Sequence, residues 1–195
     1  MNIAYTMAAG RGDADLVLFD LAQRLRRAGY RPAGTVQINS ERPDAGPCDM
    51  DVQVLPDGPV IRISQHLGKH SRGCRLDPAA LENAVGLVEA DLAKGADCVI
   101  INKFGKHEAE GHGFRTVIAE ALAQGLPVLV GVNTLNLPAF LEFTAGTARR
   151  LQPQSGTLED WLVSEIRRAA QGASENRGGV LPEASDQPQP WPIPS

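Results

Sequence analysis

Apolar and polar positions follow two different periods along the chain, and each period predicts a type of element. Residues Asn2–Thr6 form a short apolar run that ends in a glycine-rich segment, as in a strand followed by a tight loop. Apolar residues then recur with helical spacing from Asp15 to Gly29, and an extended segment follows over Pro32–Asn39. This β-loop-α-β order predicts a parallel sheet covered by helices.

The middle of the chain predicts a β-hairpin. Two extended segments, Asp51–Leu55 and Val60–Ser64, flank the turn sequence Pro56-Asp57-Gly58-Pro59. We expect this hairpin to be inserted into the parallel sheet or to lie beside it. Residues 65–77 are polar and irregular, and Pro78 is expected to open a helix.

A second βαβ unit follows. Cys98–Ile101 is continuously apolar, which is typical of a strand buried on both faces of a sheet. A polar loop comes next, and the pattern then predicts a helix over 114–124, a strand over 127–132, a short helix near Pro138 and a last helix over 157–170.

These elements predict one α/β domain, a P-loop-like parallel sheet covered by helices with an inserted β-hairpin. We expect this domain to span residues 1–171. The segment 172–195 is rich in proline and poor in aliphatic residues, so we expect it to be a disordered tail.

Composition narrows the functional classes. The chain has 195 residues and a net charge of −4, which argues against a general nucleic-acid binder. No apolar stretch approaches the roughly 18 residues of a membrane span, and no secretory signal precedes the first strand. The three cysteines, Cys48, Cys74 and Cys98, are far apart and form no Cys-x-x-Cys pair. Reduced thiols and a cytoplasmic location are therefore expected.

The loop after the first strand resembles an altered phosphate-binding loop. Against the pattern G-x-x-x-x-G-K-[ST], Met7 stands for the first glycine, Gly12 for the second, Asp13 for lysine and Ala14 for the hydroxyl residue. Backbone amides of Gly10 and Gly12 can still face an anion at a helix start. The alternative is a tight turn that needs glycine for its geometry alone.

The loop after the second buried strand concentrates charge. Lys103 and Lys106 can bind an oxyanion, His107 can add a hydrogen bond, and Glu108 or Glu110 can act as a general base. Loops in this position are often functional. The alternative is a solvated loop held by ion pairs.

A third cluster lies before the helix at Pro78. His66, His70 and Cys74 have the spacing of metal ligands on a helix, but two intervening glycines disfavour a helix, so we predict no metal site. His70, Arg72 and Arg75 can instead bind an anion, because arginine suits tetrahedral oxyanions. A polar surface loop is the alternative.

The order of elements resembles that of small P-loop nucleoside triphosphatases that accept several nucleoside triphosphates. The resemblance covers about residues 1–165 and rests on 6–16, 34–37, the 51–64 hairpin, 99–108 and the strand Pro127-Val128-Leu129. It implies their fold.

Four departures separate the chain from the activity of that family. Asp13 and Ala14 replace the lysine and threonine of the phosphate-binding loop, and Asn102 and Lys103 occupy the positions of the Walker B carboxylates. The lysine and hydroxyl contact the phosphates and magnesium in such enzymes. Nucleoside triphosphatase activity is therefore not expected.

Two further motifs resemble a bacterial domain family of uncharacterised function whose members are often found beside molybdate-transport components. They are Arg72-Gly73-Cys74-Arg75-Leu76-Asp77-Pro78 and Asn102-Lys103-Phe104-Gly105-Lys106. This resemblance implies a role in handling molybdate or a related oxyanion, with a protein partner in molybdate uptake or use.

The leading hypothesis is a cytoplasmic, non-hydrolysing protein that binds a small oxyanion or a nucleotide and is linked to molybdate. One alternative is a phosphohydrolase with a rearranged site, in which Lys103 or Lys106 contacts phosphate. Another is an interaction module with a vestigial pocket. The sequence assigns no cofactor, catalytic residue or metal ligand. The predicted anion-binding residues are Gly10, Gly12, His70, Arg72, Lys103, Lys106 and His107.

Overall fold

The computed structural model describes residues 2–10, 12–40, 49–65 and 75–178. Its strands are β1 (Ile3–Thr6), β2 (Pro32–Ser40), β3 (Asp49–Leu55), β4 (Val60–Arg62), β5 (Cys98–Phe104), β6 (Val128–Val132) and β7 (Arg149–Leu151). Its helices are α1 (Asp13–Arg27), α2 (Pro78–Leu92), α3 (Lys106–Ala109), α4 (Arg115–Ala123), α5 (Leu137–Phe143) and α6 (Ser155–Gly178).

The strands form one seven-stranded sheet in the order β4-β3-β2-β5-β6-β1-β7. The pairs β2–β5, β5–β6, β6–β1 and β1–β7 are parallel, whereas β2–β3 and β3–β4 are antiparallel. The predicted α/β fold is confirmed. The predicted hairpin corresponds to β3 and β4, and it lies beside the parallel strands, extending the sheet past β2.

Alternate residues of the central strands pack into two separate hydrophobic cores, one on each face of the sheet. Val99 and Ile101 of β5 pack with α2, α4 and α5, while Cys98 and Ile100 pack with α1 and α6. Side chains alternate across a strand, so a strand covered on both faces must be apolar throughout. Burial raises the pKa of the Cys98 thiol, which is therefore a small hydrophobic residue here and not a nucleophile.

Three features differ from the sequence prediction. The short helix α3 lies in the segment predicted as a loop, and β7 forms an edge of the sheet where no strand was predicted. The helix α6 continues to Gly178, past the predicted domain boundary at residue 171, because one glycine costs a helix only about 1 kcal/mol and does not by itself end it. The remainder of the predicted tail lies outside the described residues.

None of the helices in the described part of the chain has the length and apolar character needed to cross a bilayer.

Candidate functional site

A cleft of about 460 Å³ opens at the carboxyl ends of β1, β5 and β6. Ligands of open parallel sheets bind at this edge. The cleft is lined by the glycine loop after β1, by Asn102 and Lys103 of β5, and by the loop that follows β6. Gly10, Gly12 and Lys103 therefore line one cleft. Anion binding by these residues stays a prediction.

The glycine loop leads directly into α1. Gly12 has a φ of 89°, and its carbonyl accepts hydrogen bonds from the amides of Asp15 and Leu16. The carboxylate of Asp13 lies against Gly10, where a Cβ atom would come within 2.1 Å of Oδ2. A carboxylate in the first turn is stabilised by the positive end of the helix dipole. Asp13 therefore covers part of the loop with negative charge, and it forms no ion pair with Lys103 among the described contacts.

Asn102 and Asp15 form a buried pair at the floor of the cleft. Asn102 is 2% exposed and Asp15 is 5% exposed. The Nδ2 atom of Asn102 donates to Oδ1 of Asp15 at 3.0 Å, while Oδ1 of Asn102 has no hydrogen-bond partner among the described residues. A Cβ atom on Gly131 would lie 3.1 Å from that oxygen, so glycine leaves room beside it. An amide at position 102 donates to the neighbouring carboxylate, whereas a second carboxylate there would repel it.

These residues do not fit magnesium nucleoside triphosphate. The positions that would supply lysine and a hydroxyl hold Asp13 and Ala14, and Asn102 is hydrogen-bonded to a side chain of the protein. In the described ranges, no three histidine, cysteine or acidic side chains are grouped closely enough to hold a metal ion. A triphosphate would meet the carboxylate of Asp13 in place of a lysine.

The predicted cations have different surroundings. Lys106 is 73% exposed, and its Nζ atom lies 3.5 Å from Oε1 of Glu110. The Nε2 atom of His107 lies 2.8 Å from Oε1 of Glu82 on α2. Lys103 is exposed and has no carboxylate partner within 4 Å in the described part of the chain. His70 and Arg72, like Cys48 and Cys74, lie outside the described residues.

A second cavity of about 380 Å³ adjoins the first and was not predicted. Asn102, Lys103, Asn133 and Leu135 line both. The second cavity lies between the hairpin, the start of α2 and the loop around α3. Its apolar walls are formed by Met50, Val52, Ile63, Leu76, Leu81 and Phe114. The alternating apolar residues of the hairpin were visible in the sequence, but their position opposite the end of β5 depends on the β2–β3 pairing.

Glu108 binds both ends of the segment between β5 and α4, and it is 2% exposed. Its Oε2 atom accepts a hydrogen bond from the Gly105 amide at 2.8 Å, and Oε1 accepts one from the Phe114 amide at 3.4 Å. Burial raises the pKa of Glu108 above its usual value, and these hydrogen bonds oppose the increase. Both carboxylate oxygens of Glu108, which was a candidate general base, therefore accept hydrogen bonds from backbone amides.

The raised pKa predicts how Glu108 affects stability. The folded protein binds this proton more tightly than the unfolded chain, so the contribution of Glu108 to the free energy of unfolding is largest below pH 4.5 and declines as pH rises through the folded pKa. Urea unfolding of the wild type and Glu108→Gln between pH 4 and 7 measures this. The difference, wild type minus variant, should fall with pH. A difference that grows with pH would contradict the prediction.

The chain matches a known family. A family model described as "Protein of unknown function (DUF2478)" matches residues 3–161, and the chain therefore belongs to this family. Molybdenum import ATP-binding protein ModC 2 of Bradyrhizobium diazoefficiens is 37% identical over 162 residues, which is 82% of this chain. The chain covers only 18% of that relative's length. The resemblance to a bacterial family linked to molybdate transport is confirmed.

The fold also matches a solved structure. The solution structure of a human cancer-related nucleoside triphosphatase aligns with a TM-score of 0.55 at 14% identity, covering 93% of this chain and 100% of that chain. This likeness shows the fold, and the expected similarity in fold to a nucleoside triphosphatase is confirmed.

Proposed function

We propose that this member of the DUF2478 family binds a small oxyanion, free or as the phosphate of a nucleotide, in the first cleft without hydrolysing it. The observation that carries the proposal is the position of Lys103 and the absence of an acidic partner beside it in the described ranges. Lys103 is a cation at the end of a buried central strand, it lines the cleft beside the glycine loop, and it has no carboxylate partner within 4 Å in the described ranges. A lysine in this setting is free to contact an anion at a helix start.

We expect no hydrolysis because of the residues at the glycine loop and the floor of the cleft. Phosphoryl transfer needs positive charge on the phosphates and a group that positions the attacking water. Asp13 and Ala14 supply neither, and Asn102 donates its amide to Asp15. A single oxyanion can contact Lys103 alone, whereas a triphosphate that also reaches the glycine loop meets the carboxylate of Asp13 beside Gly10.

The link to molybdate rests on the relative's name together with the chemistry of the cleft. Molybdate is a tetrahedral dianion, and a lysine beside backbone amides suits such an ion. Because the chain covers 18% of that relative, the activity and partners of the whole protein do not transfer directly. A protein partner in molybdate uptake or use, and a cytoplasmic location, are part of the proposal.

A ligand screen tests the proposal. We expect molybdate, tungstate, sulfate or phosphate to raise the thermal unfolding temperature of the purified chain. Stabilisation should reach about 2.7 kcal/mol at 100 times the Kd. If no oxyanion or nucleotide stabilises or binds the protein by calorimetry, the proposal is wrong and an interaction module with a vestigial pocket takes its place.

A second prediction concerns catalysis. Purified protein should release phosphate from ATP or GTP no faster than a blank, with or without Mg²⁺, because Asp13 and Ala14 replace the residues that the chemistry uses. The double variant Asp13→Lys/Ala14→Thr should gain nucleotide affinity without turnover, since Asn102 and Lys103 remain. Steady, Mg²⁺-dependent release that disappears in Lys103→Ala would instead support the phosphohydrolase with a rearranged site.

A further inference from the structure

The second cavity combines an apolar interior with a charged and polar rim. Its volume of about 380 Å³ lies within the roughly 300–1,000 Å³ typical of small-molecule sites. Met50, Val52 and Ile63 of the hairpin line it together with Leu81 and Phe114. Apolar walls do not contribute to the binding of an inorganic oxyanion, because its free energy of binding comes from charge and hydrogen bonds.

Polar groups in the lining of the cavity favour a heteroaromatic ring over an aliphatic chain. The amides of Gln37 and Asn136 line the cavity, and both residues are buried. A ring that carries nitrogen and oxygen atoms on its edge can hydrogen-bond to amides while its faces contact apolar side chains. A purely aliphatic group offers no hydrogen bond to a polar side chain that it covers.

Lys103 joins the two cavities, because it lines both. We infer that the second cavity binds the aromatic ring of a small molecule whose single anionic group contacts Lys103, and that a nucleoside monophosphate has the required chemistry. This inference rests on the proposed function and adds the class of ligand. Further phosphates would extend from Lys103 into the first cleft towards the carboxylate of Asp13. A monophosphate should therefore bind more tightly than the matching triphosphate.

Calorimetric titration of the full chain provides the first test. The probes are AMP, GMP and UMP, with their nucleosides, ATP, GTP, UTP and inorganic phosphate. We expect at least one monophosphate to bind about tenfold or more tightly than phosphate, its own nucleoside and its triphosphate, which corresponds to about 1.4 kcal/mol. If phosphate binds and no monophosphate binds more tightly, the inference is wrong while the proposed function stands. If no probe binds, the inference is wrong, and titrations with molybdate, tungstate and sulfate decide the proposed function.

A matched pair of variants places the ring. Met50→Trp places a larger side chain on the wall of the second cavity and fills it, whereas Val60→Trp adds the same side chain at an exposed position on the same hairpin. In Met50→Trp the monophosphate should bind no more tightly than phosphate, while the affinity for phosphate stays unchanged. In Val60→Trp both the affinity for phosphate and the tighter binding of the monophosphate should be retained. Leu76→Trp, from another wall, gives the same test if Met50→Trp does not fold. Unchanged monophosphate affinity in a folded cavity variant would overturn the inference.

Discussion

Lys103→Ala should weaken the binding of every oxyanion that stabilises the protein, by about tenfold or more in Kd. A hydrogen bond to a charged group contributes about 1.5–3 kcal/mol, and the cleft would keep the buried carboxylate of Asp15 without the lysine that lines it. Isothermal titration with phosphate and molybdate measures the change directly.

The matched control is Lys106→Ala. Lys106 follows Lys103 closely in the chain, but its Nζ atom is already 3.5 Å from Glu110 and its side chain is 73% exposed. Its removal should change the Kd by less than about threefold, since exposed pairs contribute little. Equal losses in the two variants would indicate a general effect of charge rather than a contact with Lys103. Undiminished binding in Lys103→Ala would place the anion elsewhere.

The fold was predictable because its signals are local. The continuous apolar run that begins at Cys98 requires cover on both faces, and the Pro-Asp-Gly-Pro turn fixes the hairpin. The order of these elements then limits the possible topologies to a few. The edge strand β7 was missed because Arg149 and Arg150 are exposed and give no apolar pattern.

The site was predictable only in part, because its pairings join distant segments. In a parallel sheet the carboxyl ends of β1 and β5 lie at the same edge, so the proximity of Gly12 and Lys103 could be expected. The partner of His107 is 25 residues away on α2, which no local spacing indicates. The Lys106–Glu110 pair has ordinary helical spacing, but the four-residue helix α3 was too short to be recognised. The second cavity depends on the register of β2 with β3, so the apolar residues of the hairpin do not indicate it by themselves.

Gly34→Ala should lower the free energy of unfolding by about 3 kcal/mol or more. Gly34 has a φ of +113°, and a Cβ atom there would lie 2.0 Å from the carbonyl oxygen of Ile100. Gly34 pairs with Ile100 in the β2–β5 ladder, so the oxygen cannot move without opening the centre of the sheet. Strained backbone costs about 1–3 kcal/mol and overpacking a similar amount. Urea unfolding measures the sum.

Two other glycines separate these causes. Gly29 has a φ of +86° with nothing within 4 Å of its Cβ position, so Gly29→Ala should show the backbone cost alone, about 1–2 kcal/mol. At Gly10 the three atoms nearest to the Cβ position all belong to the side chain of Asp13, which is exposed and can turn away. Gly10→Ala should therefore cost under about 0.5 kcal/mol, as for most surface changes. If Gly10→Ala lowered the free energy of unfolding as much as Gly34→Ala, the glycine loop with Asp13 in place would be needed for folding. That result would favour a role of the loop as a tight turn over a role in anion binding.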